Sequence, residues 1–410
     1  MIRWIILLAA FLLIEFYSFQ VIKTVLTANW MLVLYKTLNV LLIGFIVFSF
    51  AKFDRSTGQT KQTLFVIGLL LLIYLPKLVL TMVLLGEDLL RLLAWAYDYF
   101  TNSINGKTHF PARRKFISQI GLGLAAVPFL SLIYGIFEGK YNYKVIKQKL
   151  FFPDLPDAFD GMTITHISDI HSGSFDNPEK IEYAIDLINQ QKSDIILFTG
   201  DLVNTFATEM NPWIEVFKKI ENPKYGKYSV LGNHDYGEYV TWDSEELKQA
   251  NFEAVKDLHR KIDFKLLLNE HVFIEAEGDK IAIVGVENWG THFKKKGDLG
   301  KASEGLEKED FKVLMSHDPS HWDAEIQHHD KHFHLTLSGH THGMQFGIEI
   351  PGYIKWSLAQ YIYKQWAGLY ENMGRYIYVN RGFGFHAYPG RVGIWPEITV
   401  LKLKKADKLV

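Results

Sequence analysis

The chain has 410 residues, a formal net charge of −1 and no cysteine. That length allows two or three domains, and the evenly mixed charge excludes a nucleic-acid surface. The missing cysteine excludes disulfides, thiolate metal sites and a cysteine nucleophile.

Four long apolar runs fill the first third: Trp4 to Ile22, Trp30 to Phe50, Leu64 to Leu85 and Phe116 to Phe137. Each approaches or exceeds the ~20 residues that cross about 30 Å of hydrocarbon. No polar face recurs at helical spacing, so residues 1–137 read as a transmembrane region of about four helices. The isolated Glu15, Lys36 and Lys77 are expected to face the bundle interior or to snorkel.

The cluster Arg113, Arg114, Lys115 stands directly before the last run. Basic residues beside a span stay cytoplasmic, so residues 138–410 are expected outside the cytoplasm, tethered to a cell (inner) membrane by several spans. The same residues read equally as a twin-arginine export signal or a plain basic anchor. Lys52, Arg55 and Lys61 then fall on the outer side. A hairpin bent at Pro76-Lys77 would reverse this, and "GEDLLRLLAWAYDYF" could instead lie in the interface.

From Glu138 the texture becomes globular, with residues 138–160 read as linker and first strand and 161–405 as a catalytic domain. The runs "MTITHIS", "DIILFTG", "KYSVLG", "KIAIVGV", "FKVLMS", "FHLTLS", "YIYVN" and "EITVLKL" predict strands. Helices are predicted over Pro178 to Gln191, capped by Asn177 with proline at the first helical position, and over Asn211 to Ile220. Alternating strands and helices imply an α/β sandwich with its chemistry on the loops after strand ends.

The polar residues at those ends form a series: "SDIHSG" with Asp169 and His171, "TGDLVN" with Asp201 and Asn204, "LGNHDYG" with Asn233, His234 and Asp235, "MSHDPSH" with His317, and "SGHTHG" with His340 and His342. Asp169, His171, Asp201, Asn233, His317, His340 and His342 make a mixed oxygen and nitrogen donor set too large for one closed structural site. It suits two divalent ions and does not choose among manganese, iron, zinc and magnesium. Two such ions bridged by a carboxylate and a hydroxide serve in-line attack at phosphorus, so no serine nucleophile is required. Asp235 and Ser168 are candidates to orient imidazoles, with ordinary loop capping the equal alternative.

This ordered set, D-x-H, G-D, G-N-H-D, a lone H and G-H-x-H, resembles the calcineurin-like metallophosphoesterase superfamily over roughly Thr163 to Leu403. Its flavour is similar to the bacterial membrane-associated branch that includes the Bacillus protein YkuE, and to UDP-2,3-diacylglucosamine pyrophosphatases. The resemblance implies a two-sheet β-sandwich flanked by helices, here preceded by the α-helical transmembrane region. It implies Asp169, His171 and His342 on one metal, Asn233, His317 and His340 on the other, and Asp201 bridging. His234 is implied as the catalytic non-ligand that protonates the leaving oxygen.

Other features carry weaker readings. Arg381 and Arg391, set among glycines, are candidates to clamp a substrate phosphate, with surface ion pairs the equal alternative. The aromatic stretch Pro351 to Tyr370 suits an interface or an acyl-chain groove, with sandwich core the slightly favoured alternative. His166, His259, His271, His292, His321, His328, His329, His332, His334 and His386 lack motif context and read as surface or satisfied core residues.

The sequence thus predicts a membrane-anchored, metal-dependent phosphoester or phosphoanhydride hydrolase. Its substrate would be a phosphorylated small molecule or lipid-linked compound such as UDP-2,3-diacylglucosamine. Cleaving that nucleotide-linked glycolipid requires a cytoplasmic site, against the charge rule, and the two expectations conflict. The rival is a non-catalytic metal-binding membrane sensor or scaffold, which the intact His234 and complete donor set oppose.

Overall fold

In the computed structural model of the protein, residues 2–101, 111–350 and 352–406 are described. The four apolar runs become helices α1 (Ile2–Val25), α2 (Asn29–Ala51), α3 (Lys61–Phe100) and α4 (Pro111–Phe137). Among the described residues, Asn29–Ala51, Lys61–Phe100 and Ala112–Phe137 are long and apolar enough to cross a membrane. Their exposed Leu, Val and Phe side chains suit lipid surroundings.

The alternative of a hairpin bent at Pro76-Lys77 is not what forms. α3 is one helix of 40 residues with Pro76 inside it, about 60 Å long at 1.5 Å per residue. The "GEDLLRLL" segment continues that helix and makes no separate interfacial one. Glu15, Asn39, Tyr74 and Lys77 converge inside the bundle: Lys77 Nζ donates to Glu15 Oε1 at 2.8 Å and to Asn39 Oδ1 at 2.7 Å. Lys36 stays exposed over the Phe19 ring. Arg114 pairs with Glu87 and Asp88, and Arg113 with Glu87 at 3.7 Å, so both members of the twin-arginine pair are tied to α3.

The chain divides into two compact bodies, Met1–Phe53 with Phe65–Ile136, and Asp54–Leu64 with Phe137–Val410. Among the described residues, the second body holds fourteen strands. In chain order they are β1 (Lys144–Phe152), β2 (Thr163–Ile167), β3 (Ile195–Phe198), β4 (Lys227–Ser229), β5 (Lys265–Leu266), β6 (Glu270–Ala276) and β7 (Asp279–Gly285). After these come β8 (Phe311–Met315), β9 (Leu335–Ser338), β10 (Gly347–Ile350), β11 (Ile354–Ser357), β12 (Gly368–Asn372), β13 (Arg375–Val379) and β14 (Glu397–Lys405).

One sheet runs β1-β14-β2-β3-β4-β5, the other β12-β13-β9-β8-β7-β6, and β10-β11 stand apart as a hairpin. The strands β2 to β5, and separately β7, β8, β9 and β13, are parallel. Period-two alternation sorts each strand. Ile195 and Leu197 enter the core between the sheets with Ile283, Val313 and Leu335. Ile196 and Phe198 turn outward under α5 (Pro178–Asn189), beside Ile181, Ile185 and Ile188. Both faces are covered, so these strands read as unbroken apolar runs.

All eight predicted strands are present. Asn177 caps α5 by accepting from Lys180 N at 3.1 Å. The helix predicted over Asn211 to Ile220 is instead a tight 3₁₀ stretch, Ala207–Trp213, followed by the single turn α6 (Ile214–Phe217). Pro212 in that stretch has no N–H to give a longer α-helix. The longest helix described in this body, α7 (Glu245–Lys261), starts at the Ser244 cap.

Candidate metal centre

Every member of the polar series lies past the C-terminal end of a parallel strand: β2 leads to Asp169 and His171, β3 to Asp201, β4 to Asn233 and His234, β8 to His317, and β9 to His340 and His342. The backbone there is tightly bent. Asp169, His171, Asp201, His340 and His342 all have φ between 48° and 70°. Non-glycine residues persist in that left-handed region where surrounding structure holds them, and such strain concentrates at functional sites. Gly339 clears the space: a Cβ there would overlap Ser168 Oγ and Asp169 Oδ2.

Two groups of donor atoms result. Asp169, His171 and His342 converge within 4.8 Å of one another, as do Asp201, His317 and His340. His171 Nε2 and His342 Nε2 face each other at 3.1 Å, and His342 Nε2 lies 3.2 Å from Asp169 Oδ1. Asp201 Oδ2 stands between the groups, 3.6 Å from His171 Nε2 and 3.1 Å from His317 Nε2. Asn233 Oδ1 is buried with no hydrogen-bond partner, while Asn233 Nδ2 donates to Tyr239 Oη. Nitrogen and oxygen donors facing one another in this way, with an orphaned amide oxygen beside them, fit divalent cations.

The far side of each imidazole is held. His171 Nδ1 meets Asn204 Oδ1 at 3.0 Å, His317 Nδ1 meets the Thr199 carbonyl at 2.7 Å, and His340 Nε2 meets Tyr363 Oη at 2.8 Å. Arg391 Nη2 lies 3.0 Å from His342 Nδ1. Such partners fix ring orientation. His234 donates Nδ1–H to the Asn204 carbonyl at 2.7 Å, which leaves Nε2 free.

Burial alone would lower the His317 imidazole, but the Asp201 and Asp169 carboxylates facing it raise it to about 10. Burial works against the Asp169 carboxylate, and His342 and His317 nonetheless pull it well below the ordinary range. Burial and the nearby Asp201 push Asp235 up to about 7.

Several expectations are corrected. Asp235 orients no imidazole; it accepts from the backbone N–H groups of Asp201, Leu202 and Gly232, each at 2.9 Å, and fixes the loop after β3. Ser168 Oγ accepts from Thr199 Oγ1 instead. Arg381 and Arg391 clamp no open site. Arg381 is committed to Glu349 and Glu397, and fully buried Arg391 donates to the carbonyls of Arg381, Gly382 and Gly384.

His386, without motif context in the sequence, belongs to the site. Its ring stacks on His171 at 4.8 Å and meets His234 at 4.4 Å, and its Nδ1 lies 3.3 Å from Asn204 Oδ1. The available signal was its place, after the β13 run and a glycine, like the other members. Asn204 thereby contacts His171, His234 and His386 at once. A second unforeseen part is the Asp54–Leu64 segment between α2 and α3. Gln59 Nε2 donates to Ser174 Oγ at 3.0 Å, and Gln59 Oε1 accepts from Ala387 N at 2.7 Å. Ser174 in turn accepts from Asn204 Nδ2 at 3.1 Å.

Fold and site together define a metal-dependent phosphoesterase sandwich, and the comparisons agree. A family model described as calcineurin-like phosphoesterase matches residues 162–344. Another, described as probable calcineurin-like phosphoesterase, transmembrane domain, matches residues 2–140. The chain is 32% identical over 257 residues to the metallophosphoesterase YkuE of Bacillus subtilis, covering 62% of this chain and 82% of that one. It is 27% identical to the metallophosphoesterase YkoQ of the same organism, over 68% of this chain and 97% of YkoQ. Against the transmembrane protein with metallophosphoesterase domain of Bos taurus it is 28% identical, over 78% of this chain and 69% of the relative. The chain belongs to the calcineurin-like phosphoesterase family, as a phosphoesterase hydrolase with an N-terminal membrane domain.

Proposed function

We propose that the protein hydrolyses a phosphoester or pyrophosphate presented at a membrane, with two divalent cations. Asp169, His171 and His342 would hold one, Asn233, His317 and His340 the other, and Asp201 would be shared. The observation that carries this reading is Asp201 Oδ2 lying between His171 Nε2 and His317 Nε2. When bound, such a pair supplies Lewis-acid charge at the phosphoryl oxygens and acidifies water.

The chain's own residues do the rest. His234, anchored through its Nδ1–H, would pass a proton from Nε2 to the leaving oxygen in its imidazolium form. His386, close to both His234 and His171, packs the two rings in place. A cavity of about 190 Å³ adjoins Asn233 and is lined by Tyr239, His292, Phe293, Lys294 and Lys296. Glu238 also lines it and pairs with Lys294. Lys296 and the aromatic rings suit the part of an anionic substrate beyond the phosphorus, such as a lipid-linked compound of the UDP-2,3-diacylglucosamine kind. The full chain in lipid nanodiscs, loaded with manganese, should carry about two metals per chain and turn over p-nitrophenyl or bis-p-nitrophenyl phosphate. Full loading without turnover of any phosphoester would support the sensor reading instead.

Sidedness rests on connectivity. Four crossings place the α2–α3 connection and the residues after α4 on one side, which accords with Asp54–Leu64 packing into the catalytic body. We place that side outside the cytoplasm, from the basic residues before α4. Protease added to intact spheroplasts should then degrade residues 138–410 and spare a cytoplasmic control. Complete protection until lysis would reverse the topology and favour a cytoplasmic glycolipid-nucleotide.

A further inference from the structure

The β10–β11 hairpin exposes a row of apolar side chains. In its register Ile348 pairs with Trp356 and Ile350 with Ile354, while Glu349 pairs with Lys355. Directly paired residues share a face, so one face carries four apolar side chains and the other carries the charges. The charged face is partly engaged by the body of the protein, with Glu349 half-buried and Lys355 itself exposed. Glu349 takes Arg381 at 2.9 Å, and Lys355 Nζ donates to the Ala367 carbonyl. The apolar face turns outward, with Ile348 51%, Ile350 49%, Ile354 46% and Trp356 38% exposed.

Neighbouring residues extend that surface. Tyr353 at the tip is 88% exposed, and Leu358, Tyr361 and Ile362 after β11 are also exposed. The sequence favours sandwich core for Pro351 to Tyr370; only Ser357, Ala359, Trp366, Ala367 and Gly368 are buried, and Pro351 lies outside the described residues. A contiguous apolar patch of this kind marks an interaction surface. Aromatic rings with one polar end suit the boundary between lipid and water.

The position of the hairpin in its own body names the partner. Its base is held by Gly347 N donating to the Val392 carbonyl at 3.0 Å. Gly139, two residues beyond the end of α4, packs so closely on the Arg391 carbonyl that a Cβ would overlap it. One short segment, Arg391 to Trp395, therefore separates the hairpin base from the point where the chain leaves its last apolar helix. Gln59, from the α2–α3 connection, reaches Ala387 a few residues upstream.

We infer that the hairpin is a membrane-docking element: its outer face rests in the surface of the bilayer that holds α1 to α4. The docked hairpin has consequences for the site. It begins at Gly347, five residues after His342, and Ser357 Oγ donates to the Gly343 carbonyl. Tyr363, which holds His340, comes directly after the exposed Tyr361 and Ile362. Docking thus brings the His340–His342 side of the centre to the lipid surface, where a phosphate carried on a lipid is presented. This last step deepens the hydrolytic reading and rests on it; the docking does not.

The absence of cysteine makes a direct test clean. Single substitutions Ile350→Cys, Ile354→Cys and Tyr361→Cys in the full chain each take a nitroxide label. Tyr183→Cys and Leu247→Cys, at exposed positions on α5 and α7, serve as references. In vesicles of phosphatidylethanolamine and phosphatidylglycerol, the hairpin labels should meet dissolved oxygen in preference to a water-soluble nickel chelate, at a depth of about 5–10 Å. The reference labels should show the opposite preference. Adding Ile348→Glu to Ile354→Cys should return that label to the reference ratio. Hairpin labels with the aqueous ratio would overturn the inference. So would labels shielded from both reagents, or broadened by a second label, because protein and not lipid would then cover the face. No turnover is read, so the result stands whether or not a phosphoester is cleaved.

Discussion

The Glu15–Asn39–Tyr74–Lys77 cluster of the helical body and the Asp169–Asp201–histidine cluster of the sandwich are both polar groups set among apolar neighbours. They differ in pairing. Around Glu15 every contact joins a donor to an acceptor: Lys77 Nζ and Tyr74 Oη donate to Oε1, and Asn39 Nδ2 donates to Oε2. The sandwich cluster sets imidazole nitrogen against imidazole nitrogen, surrounds Asp201 with two imidazoles, and leaves Asn233 Oδ1 unpaired. The first arrangement is complete as it stands and serves packing. The second leaves donor atoms facing one another, as a cation site would, and its outer partners are spent on aiming the rings. Closure of a buried network, more than its composition, separates structural polarity from a site.

Breaking the open cluster should cost function first. Asp201→Asn is expected to abolish turnover and metal content together while leaving apo-protein melting unchanged or raised. His234→Ala should reduce turnover by about 10²–10⁴-fold with metal retained, as for loss of a proton donor. Elemental analysis beside kinetics separates the two, and equal metal loss in both would remove His234 from its role.

Breaking the closed cluster should cost stability instead. Glu15→Ala strands the Lys77 ammonium and is expected to destabilise the helical body by about 3–5 kcal/mol, read by thermal unfolding in detergent. Glu15→Leu combined with Lys77→Met should recover most of that loss. A double variant as unstable as the single one would show that the pair does more than satisfy itself.

The comparison sharpens one layer out from the metals. Asn204→Ala removes the acceptor of His171 Nδ1 and should lower metal affinity or turnover by about 10–100-fold. Gln59→Ala, one contact further away, should show a smaller loss in the same direction.

The smallest expected effect is a pH slope. Burial raises the Glu209 carboxyl from 4.5 to about 7, although the N–H groups of Phe206, Asn204 and Thr205 oppose it. The folded state then holds this proton more tightly than the unfolded chain, so stability falls as pH rises from about 4.5 to about 7 and stays lower above. Glu209→Gln should melt higher than the parent at pH 8 and match it at pH 4.5. Parallel melting curves across that range would assign the burial cost elsewhere.

How much was legible in the sequence depends on how local each signal is. The strands β2, β3, β7, β8, β9 and β13 are buried on both faces and read as apolar runs. β1, "KVIKQKLFF", and β6, "EHVFIEA", lie at sheet edges with charges interleaved, and neither stands out by itself. The seven candidate donors and His234 could be singled out because each sits in a short motif at a strand end. His386 has the same placement but no repeated spacing. Arg381 and Arg391 looked like phosphate ligands because their partners, Glu349, Glu397 and backbone carbonyls, are set by tertiary structure alone. The hairpin alternates as a strand should, yet its apolar face lies outward, and alternation does not say which face is buried. Nothing local in "DRSTGQTK" announces a contact with residues far downstream.

That last segment sets an order on the making of the molecule. Gln59 bonds to partners 115 and 328 positions later in the chain, separations that slow folding because distant ends must meet before the contact stabilises anything. During synthesis Asp54–Leu64 emerges with α2 and α3, long before β13 and His386 exist. The sandwich is therefore finished against a piece already fixed by two membrane helices. A fragment beginning near Tyr141 lacks that piece, which leaves the Ala387 amide to water and Ser174 Oγ with Asn204 alone. Its histidines should equilibrate among more positions, and refolding of the whole chain should end with a slow, membrane-dependent phase that the fragment lacks.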